Sequence, residues 1–351
     1  MELTNEQKYV IYKVVSGVRE HNLHQQCIGG YAGVGKTTII RYLTQFFPRF
    51  GVCAFTGKAA NVLRRKGIDA STIHSRIYKP HFEDGQVFFD LTDNPQCEGF
   101  IVDEASMVSE DIYSDLKSFN IPMIFVGDHG QLEPIGSDFN LMRQPDFTLE
   151  EIHRNAGDIA KFANHIRQGY SPRAFRPTDG SVQFMRGIST QDLLEVDQVI
   201  CAFNRTRVQI NNQIREAMGY TGLLNEGERV MCLRNNRHQG LFNGMQGIVA
   251  KLYEGRRGAN YMDLQTEDYV IQGVKYDARQ FGQESYELGY GGKEAPNPFD
   301  YGYCITAHKA QGDEWDKVMV IEQKTRNWDH RRWGYTAASR PKVLLKWRLA
   351  T

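Results

Sequence analysis

Four residues separate Gly30 from Gly35, Lys36 and Thr37 in GYAGVGKTT, a spacing with definite chemistry. In such a loop the backbone N–H groups freed by Gly30, Gly33 and Gly35 turn toward phosphate oxygens. Lys36 reaches the β and γ phosphates, Thr37 offers a hydroxyl to Mg²⁺, and Thr38 continues into the helix behind. A bound nucleoside triphosphate then needs a carboxylate site, and FIVDEAS supplies one. Three apolar strand residues deliver Asp103 and Glu104 to a carboxyl end, where open α/β sheets bind ligands. Asp103 is placed to hold Mg²⁺ with Thr37, and Glu104 to orient and deprotonate an attacking water. GDHGQLEP, residues 127–134, ends the next apolar run and points Gln131 into the same crevice, where an amide can sense the γ-phosphate. A plain glycine-rich turn is the alternative for that stretch.

These groups work only if βα units hold them. Thr4 and Gln7 fit a capping box ahead of Val10, Ile11, Val14, Val15 and Val18 at helical spacing, which predicts a helix over 5–20. A strand over 26–29 feeds the phosphate loop, and a helix over 37–47 follows it, stopped by Pro48. Short apolar runs at 51–55, 99–102, 121–126, 198–203 and 317–321 read as buried parallel strands. They group into two βα blocks, 1–145 and 146–351, and so into two doubly wound lobes. Each block is interrupted. Residues 76–97 carry FEDGQVFFD, whose Asp84-Gly85 between apolar runs signals a β-hairpin. Residues 222–299, rich in Gly, Tyr and charge, suggest a small antiparallel barrel.

Composition restricts the partners. Lys+Arg and Asp+Glu each number 42 in 351 residues, so there is no bulk field for a polyanion and any such site must be a local groove. The six cysteines lie far apart in sequence, which argues for buried thiols rather than zinc spacing or a disulfide framework. MELTNEQKYV shows no basic-then-apolar signal, and no apolar run approaches the roughly 20 residues that span a bilayer. A soluble, cytoplasmic chain with no membrane partner is expected.

Taken in order, LTNEQ, GYAGVGKTT, AFTGKAA, STIHS, VDEAS, GDHGQLEP, EIHRN, TAHKAQG and YTAASR resemble the superfamily 1 DNA helicases of the RecD-like and phage Dda-like branch. The resemblance covers nearly the whole chain. It implies two RecA-like lobes with ATP and Mg²⁺ in the cleft between them, single-stranded DNA across their top, and translocation from 5′ to 3′. The first lobe would comprise 1–75 and 98–145, with a wedge hairpin at 76–97. The second would comprise 146–221 and 300–351, with an SH3-like β-barrel insertion at 222–299.

Carried over residue by residue, the resemblance puts Gln7 on adenine, although the capping box competes for the same side chain. Arg154 and Arg340 become cations that the second lobe extends to the γ-phosphate; a surface salt bridge is the alternative for each. Gln311 and Gly312 join the nucleotide site. Contacts to DNA are expected from Thr56, Lys58, Thr72, His74 and Phe88 in the first lobe, and from Asn204, Thr306, His308 and Lys309 in the second. Hydroxyls, amides and helix N-termini can touch phosphates as cations do, so zero net charge is no obstacle. Ala338-Ser339 depart from the leucine and threonine more usual before the arginine. Expected partners are single-stranded DNA, duplex or forked DNA, and a single-strand-binding protein or a replisome or recombination component, with the chain itself a monomer.

Other classes fit less. No base-reading Asn-Lys-x-Asp stretch marks a GTPase, and a small-molecule kinase leaves TAHKAQG and the second-lobe arginines idle. A nuclease would need Asp300, Glu322 and Lys324 together. A clamp with a dead ATP fold has no reason to keep Lys36, Asp103, Glu104, Gln131 and both arginines. The open alternative to a self-sufficient helicase is a DNA-stimulated translocase subunit of a larger recombination complex.

Overall fold

The computed structural model describes residues 3–83, 86–132, 139–151, 157–234, 236, 239–255, 258–267, 269–285, 295–324 and 328–350; the side chains of Lys58, 80–83 and 86–88 are also outside it. The chain opens with α1 (Asn5–Glu20), whose capping box is formed in full: Thr4 Oγ1 accepts from the Gln7 N–H and Gln7 Oε1 from the Thr4 N–H. Then follow β1 (Gln25–Gly30), α2 (Lys36–Phe46), β2 (Phe50–Ala54), α3 (Gly57–Arg65), β3 (Ala70–Thr72) and α4 (Ile73–Ile77). The hairpin β4 (Tyr78–Glu83) and β5 (Gln86–Leu91) precedes β6 (Gly99–Asp103), α5 (Glu110–Ser118), β7 (Met123–Gly127) and β8 (Phe147–Leu149).

Six of these strands form one parallel sheet in the order β3-β2-β6-β7-β1-β8. Its apolar runs are continuous because both faces are covered. Ile28, Val52, Ile101 and Ile124 pack beneath α1 and α2, while Cys53, Phe100, Val102 and Phe125 face α4 and α5. Glu83 pairs with Gln86 in the hairpin, and its turn, Asp84-Gly85, lies outside the described residues.

A second set of elements begins with α6 (Asp158–Arg167), β9 (Val182–Met185), α7 (Thr190–Leu194), β10 (Gln198–Cys201) and α8 (Asn204–Ala217). An antiparallel sheet interrupts it, made of β11 (Arg229–Cys232), β12 (Gln246–Glu254), β13 (Asn260–Gln265), β14 (Val270–Lys275) and β15 (Phe299–Tyr301), in the order β14-β13-β12-β11-β15. The chain then returns through β16 (Cys304–Thr306), β17 (Trp315–Ile321), α9 (His330–Ala338) and β18 (Pro341–Arg348) to complete a parallel sheet ordered β16-β10-β17-β18-β9.

Strand β18 escapes the sequence pattern because Lys342, Lys346 and Arg348 break its apolar run, yet it lies between β17 and β9. Burial of Lys346 is compensated by ion pairs from its ammonium to Glu195 at 2.8 Å and Asp192 at 3.2 Å. Among the described residues no helix is long and apolar enough to cross a membrane.

Candidate active site and nucleic-acid interface

The phosphate loop leaves β1 and enters α2 through Gly33 and Gly35, at φ 84° and 83°, a left-handed conformation that other residues adopt only with strain. Lys36 Nζ donates to the carbonyls of Gly30 at 2.9 Å and Tyr31 at 3.2 Å, and lies 3.7 Å from Asp128 Oδ2. Thr37 Oγ1 accepts from Lys66 Nζ at 3.3 Å, and the Thr38 N–H returns to Gly35 O at 2.9 Å. Gln7 is buried at the edge of the loop, where its Nε2 donates to the Val34 carbonyl at 2.8 Å. Both ends of its amide therefore have structural work, and an adenine contact would use the second Nε2 hydrogen or the second lone pair of Oε1.

Asp103 ends β6 in the same sheet, and Glu104 follows it in the left-handed region at φ 54°, a strained position for a non-glycine residue. Burial pushes the Glu104 carboxyl up to about 7; Asp103 beside it adds to the rise, while Arg340 and Lys36 oppose it. Burial raises Asp103 as well. Glu104 Oε2 and Gln131 Oε1 are buried without a hydrogen-bond partner among the described residues. Buried acceptors left in this way are costly unless something else satisfies them. An acidic pair beside the Thr37 hydroxyl and a basic lysine is a donor set that suits Mg²⁺ and a triphosphate.

Arg340 comes from the other parallel sheet, at the end of α9. It is 3% exposed, and among the described residues no carboxylate pairs with it. Its guanidinium is held instead by Thr336 O at 3.0 Å, Asp313 O at 3.3 Å and Ser339 Oγ at 2.9 Å. The surface salt bridge is thus not what Arg340 makes. Arg154 lies outside the described residues.

Hydrogen bonds join the lobes at this seam through Ala32, Asp128, Leu132, Tyr335 and Thr336, to which no role was assigned from sequence, and through Thr56, Gln311 and Gly312, to which one was. The Leu132 N–H donates to Thr336 Oγ1 at 2.9 Å, Gln311 Nε2 donates to Leu132 O, and Thr56 Oγ1 donates to Gly312 O at 3.1 Å. Tyr335 donates to Asp128 and accepts from the Ala32 N–H. Asp128 and Tyr335 lie inside GDHGQLEP and YTAASR; the available signal for Asp128 was its place at a strand end matching that of Asp103.

Beyond the seam is a cavity of about 930 Å³ bordered by both parallel-sheet lobes and the antiparallel sheet. Thr56, Thr72, His74, His308, Lys309 and Gln311 all line it. The Thr56 and Thr72 hydroxyls also cap α3 and α4. The His74 ring lies 3.7 Å, centroid to centroid, from Phe242 of the antiparallel sheet's β11–β12 loop. Lys309 Nζ donates to Asn243 Oδ1 in that loop, and burial lowers the ammonium to about 8; burial also lowers His308.

Thr306 and Asn204 do not line the cavity. Thr306 O accepts from the N–H groups of Lys309 and Ala310, and Asn204 Oδ1 accepts from Arg207 Nε at 3.3 Å. The side chains of Lys58 and Phe88 lie outside the described residues. Of the nuclease trio, Glu322 lies 3.8 Å from Lys324 Nζ and accepts from Trp347 Nε1 at 3.2 Å, while Asp300 is paired with Arg207 instead.

A glycine-rich loop between a parallel strand and a helix, carboxylates at the neighbouring strand end, and a buried arginine from a second parallel-sheet lobe define a P-loop NTPase of RecA-like α/β architecture. Comparison with known proteins places it further. An AAA-domain family matches residues 2–185, over half of the chain, and a UvrD-like helicase C-terminal domain matches residues 301–345. The chain belongs to the superfamily 1 helicases, in the branch of RecD and Dda.

It is 27% identical over 251 residues to the ATP-dependent DNA helicase Dda of Enterobacteria phage T4, covering 61% of this chain and 57% of that protein. To the ATP-dependent RecD2 DNA helicase of Deinococcus radiodurans it is 25% identical over 333 residues, covering 83% and 42%. The chain thus spans about half the length of these relatives. Its fold matches that of Bacteroides Pif1 bound to single-stranded DNA with a TM-score of 0.56 at 20% identity, over 99% of this chain and 92% of that one.

Proposed function

We propose that the chain is an ATP-dependent DNA helicase that translocates on single-stranded DNA from 5′ to 3′ and unwinds duplex DNA in replication, recombination or repair. The observation that carries this reading is the burial of Arg340, without a carboxylate partner among the described residues, at a cleft whose other wall holds Lys36, Asp103, Glu104 and Gln131. A cation supplied by a separate lobe stabilises the transferring phosphoryl group only when the cleft is shut, which ties hydrolysis to lobe motion. In this reading Thr37 and Asp103 hold Mg²⁺, which neutralises charge on the phosphates. Lys36 binds the phosphates, Glu104 takes the proton of the attacking water, and Gln131 senses the γ-phosphate. The cavity carrying Thr56, His74, His308 and Lys309 is the single-strand groove.

We read 1–75 with 98–145, and 146–221 with 300–351, as the two lobes. Residues 76–97 are then a wedge, and 222–299 an SH3-like module. The wedge reading draws support from Phe89. A Cβ at Gly240, in the β11–β12 loop, would stand 2.9 Å from the Phe89 ring, so the hairpin is braced against the second lobe's insertion. A braced hairpin can resist a duplex drawn against it.

Two substrates test this: a duplex with a 5′ tail and one with a 3′ tail, each given ATP. Unwinding of the 5′-tailed duplex alone is expected, and a chain lacking 82–89, replaced by a short Gly-Ser turn, should keep DNA-stimulated hydrolysis and lose unwinding. Failure of single-stranded DNA to stimulate hydrolysis in the parent chain would overturn the reading.

A further inference from the structure

We propose that Tyr335 is a positioning residue through which the phosphate loop of the first lobe sets the place of Arg340. The inference rests on the nucleotide site proposed above.

Tyr335 is fully buried on α9, and its phenol uses both of its capacities across the lobe seam. The oxygen accepts from the Ala32 N–H at 2.6 Å, and the hydroxyl proton is donated to Asp128 Oδ2 at 2.5 Å. Asp128 is fixed in turn, since its Oδ1 takes the Gly130 N–H at 2.9 Å and its Oδ2 lies 3.7 Å from Lys36 Nζ.

Ala32 lies inside the loop between Gly30 and Lys36. Its N–H has one hydrogen to give. A phosphate oxygen seated on that amide and the phenol oxygen of Tyr335 are therefore competitors for a single donor. When phosphate wins, Tyr335 keeps Asp128 but gives up its hold on the loop.

The next residue on the helix makes this matter for the second lobe. Thr336 accepts the Leu132 N–H through Oγ1 and takes Arg340 Nε on its carbonyl. Only a short segment separates Tyr335 from the guanidinium, and a hydrogen-bonded helix moves as a unit. Release of Tyr335 from Ala32 frees α9, still tied to the 128–132 loop through Asp128 and Leu132, to shift against the phosphate loop and to carry Arg340 with it.

The test separates loop competition from simple packing. Tyr335→Phe keeps the ring and removes the oxygen. With the competitor gone, AMP-PNP, measured by displacement of mant-ADP, should bind about two- to tenfold more tightly, the worth of one net hydrogen bond. The kcat of DNA-stimulated hydrolysis should fall at the same time. Thr336→Val, which cuts the Leu132 bond and leaves Ala32 alone, should lower kcat without changing AMP-PNP affinity.

In the parent chain, hydrogen exchange over residues 330–338 should change with AMP-PNP and not with AMP, which lacks the outer phosphates. Parental AMP-PNP affinity in Tyr335→Phe overturns the proposal. So do equal affinity shifts in both variants, or exchange over 330–338 that ignores AMP-PNP. If the parent binds AMP-PNP but single-stranded DNA does not stimulate its hydrolysis, the helicase reading falls while the affinity and exchange tests of Tyr335 still stand.

Discussion

The two sides of the seam between the lobes are built on opposite terms. On the nucleotide side, Tyr335, Thr336 and Gln311 reach across to Ala32, Asp128 and Leu132 with hydrogen bonds, and Arg340 is held by backbone carbonyls. On the far side the same lobes part around a cavity of about 930 Å³, where helix-capping threonines, two histidines and a lysine face the opening among carboxylates such as Glu314 and Asp316. Chemistry at a fixed atom requires buried groups with defined partners. A polymer that must slide is better served by contacts that are individually weak and alike in kind.

Loss of the arginine should break that contrast most sharply. Arg340→Ala is expected to lower DNA-stimulated ATP hydrolysis by on the order of 10³ or more, while affinity for single-stranded DNA in a fluorescence titration stays at the parental level. Glu104→Gln should cost about 10² or more in kcat, because it removes the base while leaving the phosphate contacts in place. Comparable losses of DNA binding in either variant would show that the two sides are one site.

The far side should respond to pH through Lys309. Desolvation holds its ammonium at about 8, below its ordinary value, so the side chain is a cation below that pH and neutral above it. Affinity for single-stranded DNA should fall as pH rises through about 8. Lys309→Arg should flatten the profile, since a guanidinium keeps its charge. A parent profile flat from pH 7 to 9 would remove Lys309 from the groove. His308→Ala should weaken binding by a smaller factor and equally for all sequences, as phosphate contacts do.

The smallest expected effect sits at the hairpin. Gly240 has φ 66° and a Cβ there would strike Phe89, so Gly240→Ala should cost about 1 kcal/mol of stability and loosen the brace. Unwinding should slow while single-strand-stimulated hydrolysis is kept. Unchanged unwinding would mean that the hairpin does not depend on that contact.

Local physics wrote much of this molecule into its sequence. The capping box of Thr4 and Gln7 joins groups three residues apart, the turn from β1 to α2 needs Gly33 and Gly35, and a short apolar run such as FIV, bounded by glycine and an acidic pair, fits a buried strand. The phosphate loop and the carboxylates at the strand end follow directly. Strand β18 was hidden because its buried Lys346 is paired by Asp192 and Glu195 at a helix folded elsewhere, with Lys346 and Asp192 lying 154 residues apart. That Gln7 would bond Val34 as well as its own cap, and that Arg340 would be held by carbonyls rather than a carboxylate, also depended on packing. The Ala32–Tyr335 bond spans 303 residues. A hydrogen bond is set by ångströms and angles, and between such distant partners only the docking of two lobes supplies them, so the seam was decided by the tertiary structure alone.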